Sequence, residues 1–237
     1  ELTVEGEALL REAQIILARC NDFNHRAYAL SDKVDARVRI AIDEIIPSDF
    51  LVDVFTRFHD QFPLTGLEVL YGSLTDIETL VVDDRVDLGL LAPLSIPSKA
   101  VVGKLLAYMS VSLVVSSSHP LAQRQNLGAS DLVEYRQLVI TSRGGEHEPD
   151  EAIYSACPWM LESTPVIHDL VRAGVGFSYL PNDLICGELE SGSLVRLDIA
   201  GDSIPQQFPI YLIWGSGTAY GKAHQWLKGE LSCMQCG

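Results

Sequence analysis

The sequence predicts an α/β protein made of two similar units with a cleft between them, entered through one long helix. Three observations lead there. Residues 1–33 carry a proline-free heptad stripe, short apolar runs alternate with amphipathic stretches from Ala36 onward, and an extended run at 100–116 is followed by the same alternation again. Alternating β and α elements call for a parallel sheet covered by helices. At 237 residues the chain has room for one large domain or two modest ones.

Thr3 is placed to cap the first helix. Leu2, Gly6, Leu9, Ala13, Ile16, Cys20, Phe23, Ala27 and Leu30 then follow in alternating steps of four and three. One heptad position is large each time (Leu2, Leu9, Ile16, Phe23, Leu30), and the other is small (Gly6, Ala13, Cys20, Ala27). Large against small suits two closely approaching helices, and the stripe is narrower than a globular face needs. It reads as a dimerisation seam; the alternative is a helix lying on its own domain.

Strands are expected at 36–42, 67–71 and 86–91, with helices at 48–61 and 74–83 between them. In "SDFLVDVFTRFHDQFP" Phe50, Leu51, Val54, Phe55 and Phe58 share one helical face, and Pro63 stops the chain after it. "AVVGKLLAYMSVSLVVSSSHPLA" reads as a strand over 100–116, with Gly103 or the Met109–Ser110 region available as a bend. Beyond it, strands fit 136–141, 158–162, 176–180 and 193–197, and helices fit 164–172 and 181–190. "FPIYLIW" (208–214) is a further strand and "GTAYGKAHQWLKGEL" (217–231) a final helix. Ligands of open α/β sheets sit outside the carboxyl ends of the strands. The loops Asp43–Ser48, Tyr71–Leu74, Ala92–Leu94, Thr141–Gly145 and Thr164–Val166 are therefore the expected cleft walls.

Composition excludes some functions. A formal net charge of −15 argues against a grip on a phosphate backbone, which needs clustered Lys and Arg. No apolar run reaches the roughly 18 residues a membrane-spanning helix requires. Cys20, Cys157, Cys186, Cys233 and Cys236 are odd in number and irregularly spaced, which points to a reducing compartment rather than a disulfide framework. The start shows no signal-peptide pattern, and it lacks Met and enters directly on helical sequence, as a fragment would.

Motifs for chemistry are sparse. G-x-S-x-G, H-E-x-x-H and a post-strand G-x-G-x-x-G are all missing. "GSGTAYGKA" (215–223) has the wrong spacing for a phosphate loop and carries Ala223 where Ser or Thr is needed, so a glycine-rich helix start is the plainer reading. The Cys233 and Cys236 pair has no second pair to complete a zinc site, with His224 the nearest addition; an incidental mobile tail is the preferred reading. The six histidines (25, 59, 119, 147, 168, 224) show no ligand spacing, and His119 before Pro120 is read as structural. The expectation is a protein that is not an enzyme, with no cofactor and no metal.

The ordered set of short segments resembles the regulatory, effector-binding part of LysR-type bacterial transcriptional regulators. "LTVEGEALLREAQIIL" (2–17) is similar to the end of that family's DNA-binding domain and its linker helix. "VRIAID…P" (38–47), "FHDQFP" (58–63), "DRVDLGLL" (84–91), "VVSSSHPLA" (114–122), "DLVEYRQLVI" (131–140) and "LVRAGVGFSYLP" (170–181) follow in the family's order. The resemblance implies two Rossmann-like lobes of the type 2 periplasmic-binding-protein fold behind a linker helix (1–33), with lobe I at 36–108 and 215–237 and lobe II at 109–214. It also implies a small-molecule effector in the interlobe cleft and a cytoplasmic homodimer, with a tetramer left open. DNA would be reached only through a winged helix-turn-helix before residue 1, and RNA polymerase is a further candidate partner. The rival reading is an extracytoplasmic solute-binding protein of the same fold, for which a heptad helix would be useless.

Carried over by motif, the effector loops are Asp43, Glu44 and Ile45 after the first strand and Gly72 and Ser73 after the second. The other lobe would contribute Thr141, Ser142 and Arg143, with Val175, Gly176 and Phe177. Many relatives place small hydroxyl residues after the first strand, where this chain has Asp43 and Glu44. A carboxylate in a cleft favours a ligand that donates hydrogen bonds or carries positive charge, such as an amine or a nucleobase. Arg143 on the opposite wall could pair with an acidic group of the same ligand. The competing reading is that the acidic pair only steadies the following helix or faces water.

Overall fold

The computed structural model describes residues 3, 6, 13, 16, 34–46, 49–72, 75–93, 100–141, 153–200, 207–215 and 220–233. Within it, Arg37–Asp43 (β1) buries Val38, Ile40, Ala41 and Ile42 completely. A strand apolar on both faces has to be covered on both sides, which places it inside a sheet. Its neighbours Gly66–Gly72 (β2) and Leu88–Leu91 (β3) both run parallel to it. Asp49–Gln61 (α1) and Lys222–Cys233 (α6) cover one face, where Leu51, Val54, Phe58, Leu227 and Leu231 pack on Val38, Ile40 and Ile42. Thr75–Val82 (α2) covers the other face through Ile77 and Val81. It lies close because β3 has Gly89 beneath it: a Cβ there would stand 2.8 Å from the Ile77 side chain.

The sixteen-residue strand Val101–Ser116 (β4) belongs to both halves of the molecule. As far as Ser110 it pairs with Gln207–Gly215 (β11); from Val111 it pairs with Ser178–Pro181 (β8) and then Leu194–Arg196 (β9). Beyond that handover its residues divide by the two-residue period of a strand. Leu113 and Val115 join Leu121, Leu132 and Phe177, while Val114 joins Leu138, Ile167, Val171 and Ile185. The parallel pair Leu138–Ile140 (β6) and Trp159–Leu161 (β7) reaches β8 through a Gln137–Phe177 bridge. Thr164–Arg172 (α4) and Asn182–Ser191 (α5) flank it.

Most expected elements stand within a few residues of their expected bounds, and the differences have local causes. The ladder runs unbroken through Gly103 and Ser110. The register shifts instead opposite Ile210 and Tyr211, where Leu106 is the extra residue of a bulge between Leu105 and Ala107. β11, which the sequence reading assigned to the second lobe, is hydrogen-bonded between β3 and β4 in the first. The final helix begins only at Lys222, because the Asp35 carboxylate, remote in sequence, accepts the Gly221 and His224 N–H groups that open it. Cys233 ends that helix and is exposed, and Cys236 lies outside the described residues. Four short elements had no periodic signal: a 3-10 turn at Pro120–Gln123, Leu127–Gly128 (β5), Ala129–Leu132 (α3) and Ile199–Ala200 (β10). His119 caps the first of these, its Nδ1 accepting the Leu121 N–H at 3.2 Å.

At the amino-terminal stretch, Gly6, Ala13 and Ile16 are helical, and the Gly6 N–H donates to Thr3 Oγ1 at 3.1 Å as in an N-cap. Ile16 is 59% exposed. The other stripe positions, Leu2, Leu9, Cys20, Phe23, Ala27 and Leu30, lie outside the described residues.

At the amino ends of β1 and β3, His224 sits 2.9 Å from both Asp35 and Asp87, and Asp87 also takes the Arg39 backbone N–H and guanidinium. Burial alone would discharge the ring, but the two carboxylates outweigh it and push His224 up to about 9. Burial likewise opposes the Asp87 charge, and His224 with Arg39 outweighs it, holding Asp87 at about 2. The His224 contribution is complete below its ordinary value of 6.5 and is lost as pH rises through about 9. Urea titrations should therefore show stability falling by on the order of 3 kcal/mol from pH 6 to pH 10. Replacing His224→Gln should flatten that slope and cost roughly 3–5 kcal/mol at pH 6, because Asp35 loses its buried cation and Asp87 keeps only Arg39.

Candidate functional site

β1 ends in a tight turn, Asp43–Ile46, closed by the Ile46 N–H donating to Asp43 O at 2.9 Å. Asp at the first turn position is the residue whose side chain can brace such a turn, and the Asp43 Oδ1 accepts from the Ile45 N–H at 3.2 Å. Its Oδ2 accepts from the Ala92 N–H at 3.3 Å, so the buried carboxylate, 2% exposed, ties the end of β1 to the end of β3. Ile46 anchors the turn in the core with Leu51 and Val54. The Glu44 N–H bonds to Gly72 O at the end of β2.

The side chain of Glu44 crosses to the other half of the molecule. Its Oε2 accepts the Thr164 N–H at 3.2 Å, at the first residue of α4. Ser163, the residue before that helix, makes no side-chain cap, and Pro165 has no N–H to offer. The Thr164 N–H, at the positive end of the helix dipole, is thus satisfied by a carboxylate from the opposite lobe. Around this contact lies a cavity of about 390 Å³ walled by Glu44, Ile45, Ile46 and Tyr71 on one side and Ser163, Thr164, Pro165 and Leu184 on the other. Tyr71 near the end of β2 and Leu184 in the first turn of α5 are exposed apolar side chains on this wall.

Glu44 and Ile45 thus stand on the cavity wall, while Asp43 is turned inward into the sheet end. Gly72 holds the Glu44 backbone beside it. Thr141 is buried at the end of β6, its N–H bonded to Leu161 O. Val175, Gly176 and Phe177 lie in the body of the second lobe rather than on this wall. Phe177 is fully buried in the core, and a Cβ on Gly176 would stand 2.2 Å from Arg136 O. The glycine-and-aromatic pattern there answers a close backbone approach, which a one-dimensional motif cannot tell from a ligand loop. Ser73, Ser142 and Arg143 lie outside the described residues. Tyr71, Thr164 and Pro165 belonged to loops the sequence marked as walls; Ser163 and Leu184 carried no signal of their own. Among the described residues no cluster of three or more His, Cys, Asp or Glu could hold a metal, and no helix is long and apolar enough to cross a membrane.

The family model "LysR substrate binding domain" matches residues 31–233, and the chain belongs to that family. The particular relatives are transcriptional regulators. An uncharacterized HTH-type transcriptional regulator of Escherichia coli, YeeY, is 23% identical over 235 residues, covering 98% of this chain and 75% of YeeY. The regulatory domain of MetR, a LysR family regulator from N. meningitidis, superposes with a TM-score of 0.62 at 19% identity, over 83% of this chain and 92% of that one. The CcmR regulatory domain of Synechocystis, solved in complex with 2-PG, gives 0.62 at 16% identity, over 84% and 99%. These likenesses establish the periplasmic-binding-protein-like fold of a LysR-type regulatory domain.

The two acids should separate in a stability measurement. Asp43→Ala takes the acceptor from one buried and one half-buried backbone N–H and should cost about 2–3 kcal/mol in chemical denaturation. Glu44→Ala, which removes a half-buried contact between lobes, should cost about 1 kcal/mol or less.

Proposed function

We propose that this chain senses a small molecule in the cavity between its lobes and passes the event to a DNA-binding part of the same regulator. The observation that carries the reading is the cavity itself. It is walled from both lobes at the carboxyl ends of their strands, with Glu44 spanning it to Thr164. A ligand that fills it can touch both halves at once and so binds one lobe arrangement better than another, which is what shifting a population requires. Glu44, Ile45, Tyr71, Thr164 and Leu184 are the first contacts assigned, with Gly72 and Thr141 on the adjoining strand ends; Ser73, Ser142 and Arg143, expected from the sequence, lie outside the described residues. The lobe division that goes with it places β11 and α6 with residues 36–108, and the rest of 109–206 in the second lobe.

The same reading takes the chain as a cytoplasmic homodimer paired through the amino-terminal stripe, acting on DNA with RNA polymerase as a further partner. The exposure of Ile16 at a large heptad position supports that pairing. The carrier alternative has no support from the relatives, which are regulators.

A thermal-shift screen of metabolites followed by solution scattering tests the reading. A compound that raises Tm should also change the scattering profile, and Ile45→Trp, which fills the cavity, should weaken its binding at least about tenfold. Stabilising compounds that bind Ile45→Trp unchanged and leave the profile unaltered would place the sensing surface elsewhere.

A further inference from the structure

We propose that the cleft selects an organic cation, an amine or amidine head on an apolar body, and that Glu44 is the residue that selects it. This assignment rests on the cavity being the effector site. Two facts at Glu44 carry it. First, the one charged side chain among the described cavity-lining residues is this carboxylate; Ile45, Ile46, Tyr71, Pro165 and Leu184 supply most of the remaining wall. Second, the two oxygens are in different states. Oε2 is committed to the Thr164 N–H across the cleft, while Oε1 has no protein partner among the described residues.

An anionic ligand would meet this arrangement badly. The place that attracts anions here, the amino-terminal end of α4, is already filled by the chain's own carboxylate. A ligand carboxylate would have to displace Glu44 from Thr164 and then share a cavity of about 390 Å³ with it, at a cost set by two like charges in partly desolvated surroundings. A cation has the opposite experience. It can pair with Oε1 while Oε2 stays on Thr164, so its charge is met without breaking the contact between lobes. The Tyr71 ring on the wall suits the same head group, and the apolar remainder accepts a hydrocarbon body. Occupancy then adds to the lobe arrangement that Glu44 already holds.

Three probes sharing one carbon skeleton and differing in head-group charge test this: benzylamine, benzamide and benzoate, titrated at millimolar concentration while the Ile45 and Leu184 methyl resonances are followed. Benzylamine is expected to bind wild type at least about tenfold more tightly than benzoate. Glu44→Gln should lower benzylamine affinity by a similar factor and narrow or reverse the gap to benzoate, while Glu44→Asp keeps the amine preference. Benzoate binding wild type as tightly as benzylamine, or benzylamine binding Glu44→Gln as tightly as wild type, overturns the cation assignment and leaves the cleft as an effector site. Shifts at neither methyl with any of the three probes overturn the cleft reading itself, and this assignment with it.

Discussion

One strand serving two sheets is the constraint on which the rest depends. β4 gives its first part to β11 and its second to β8 and β9, with the change falling between Ser110 and Val111. The two halves therefore share a continuous backbone and yet keep separate cores, one around Ile40, Phe58 and Leu227, others around Phe177 and Ile167. Because the parallel strands of both halves end toward the same gap, their carboxyl ends and the helix that follows β7 face one another across it. The cavity is a consequence of that topology, and only its lining is a matter of side chains.

The lining shows how two adjacent acids come to do different work. Asp43 is the last residue of β1 and points into the sheet end, where its oxygens meet the N–H groups of Ile45 and Ala92. Glu44, one residue further and beyond the pleat, points out and reaches Thr164. The strand's alternation decides which acid braces and which faces the gap. The far end of the same sheet carries a second charged cluster, Asp35, His224, Asp87 and Arg39, which fixes α6 to the strand starts. One end is locked by a buried cation between two carboxylates, and at the other, among the described residues, one Glu44 oxygen has no partner.

Much of this was readable from residue order. Val38–Ile42, Leu51, Val54 and Phe58 announce their elements by period, and loops holding Tyr71 and Thr164 follow from where strands end. What was not readable depends on contacts between distant residues. The placement of β11 between β3 and β4 and the helix start set by Asp35 both come from pairings between residues far apart in sequence. Val175–Phe177 matched a family loop, but the match could not reveal that Gly176 stands against Arg136 O. Asp43 and Glu44 stand out in the sequence as an acidic pair, but residue order alone does not say which of them braces the turn and which faces the gap.

The bond across the gap can be measured directly, through hydrogen exchange of the Thr164 backbone amide by NMR. If Glu44 closes the cleft in solution, that amide exchanges slowly in the wild type and about fivefold faster in Glu44→Ala, since a lost contact of about 1 kcal/mol is a factor of about five. Equal, rapid exchange in both proteins would mean that the lobes do not meet there, and the account of a cleft spanned by Glu44 would be wrong.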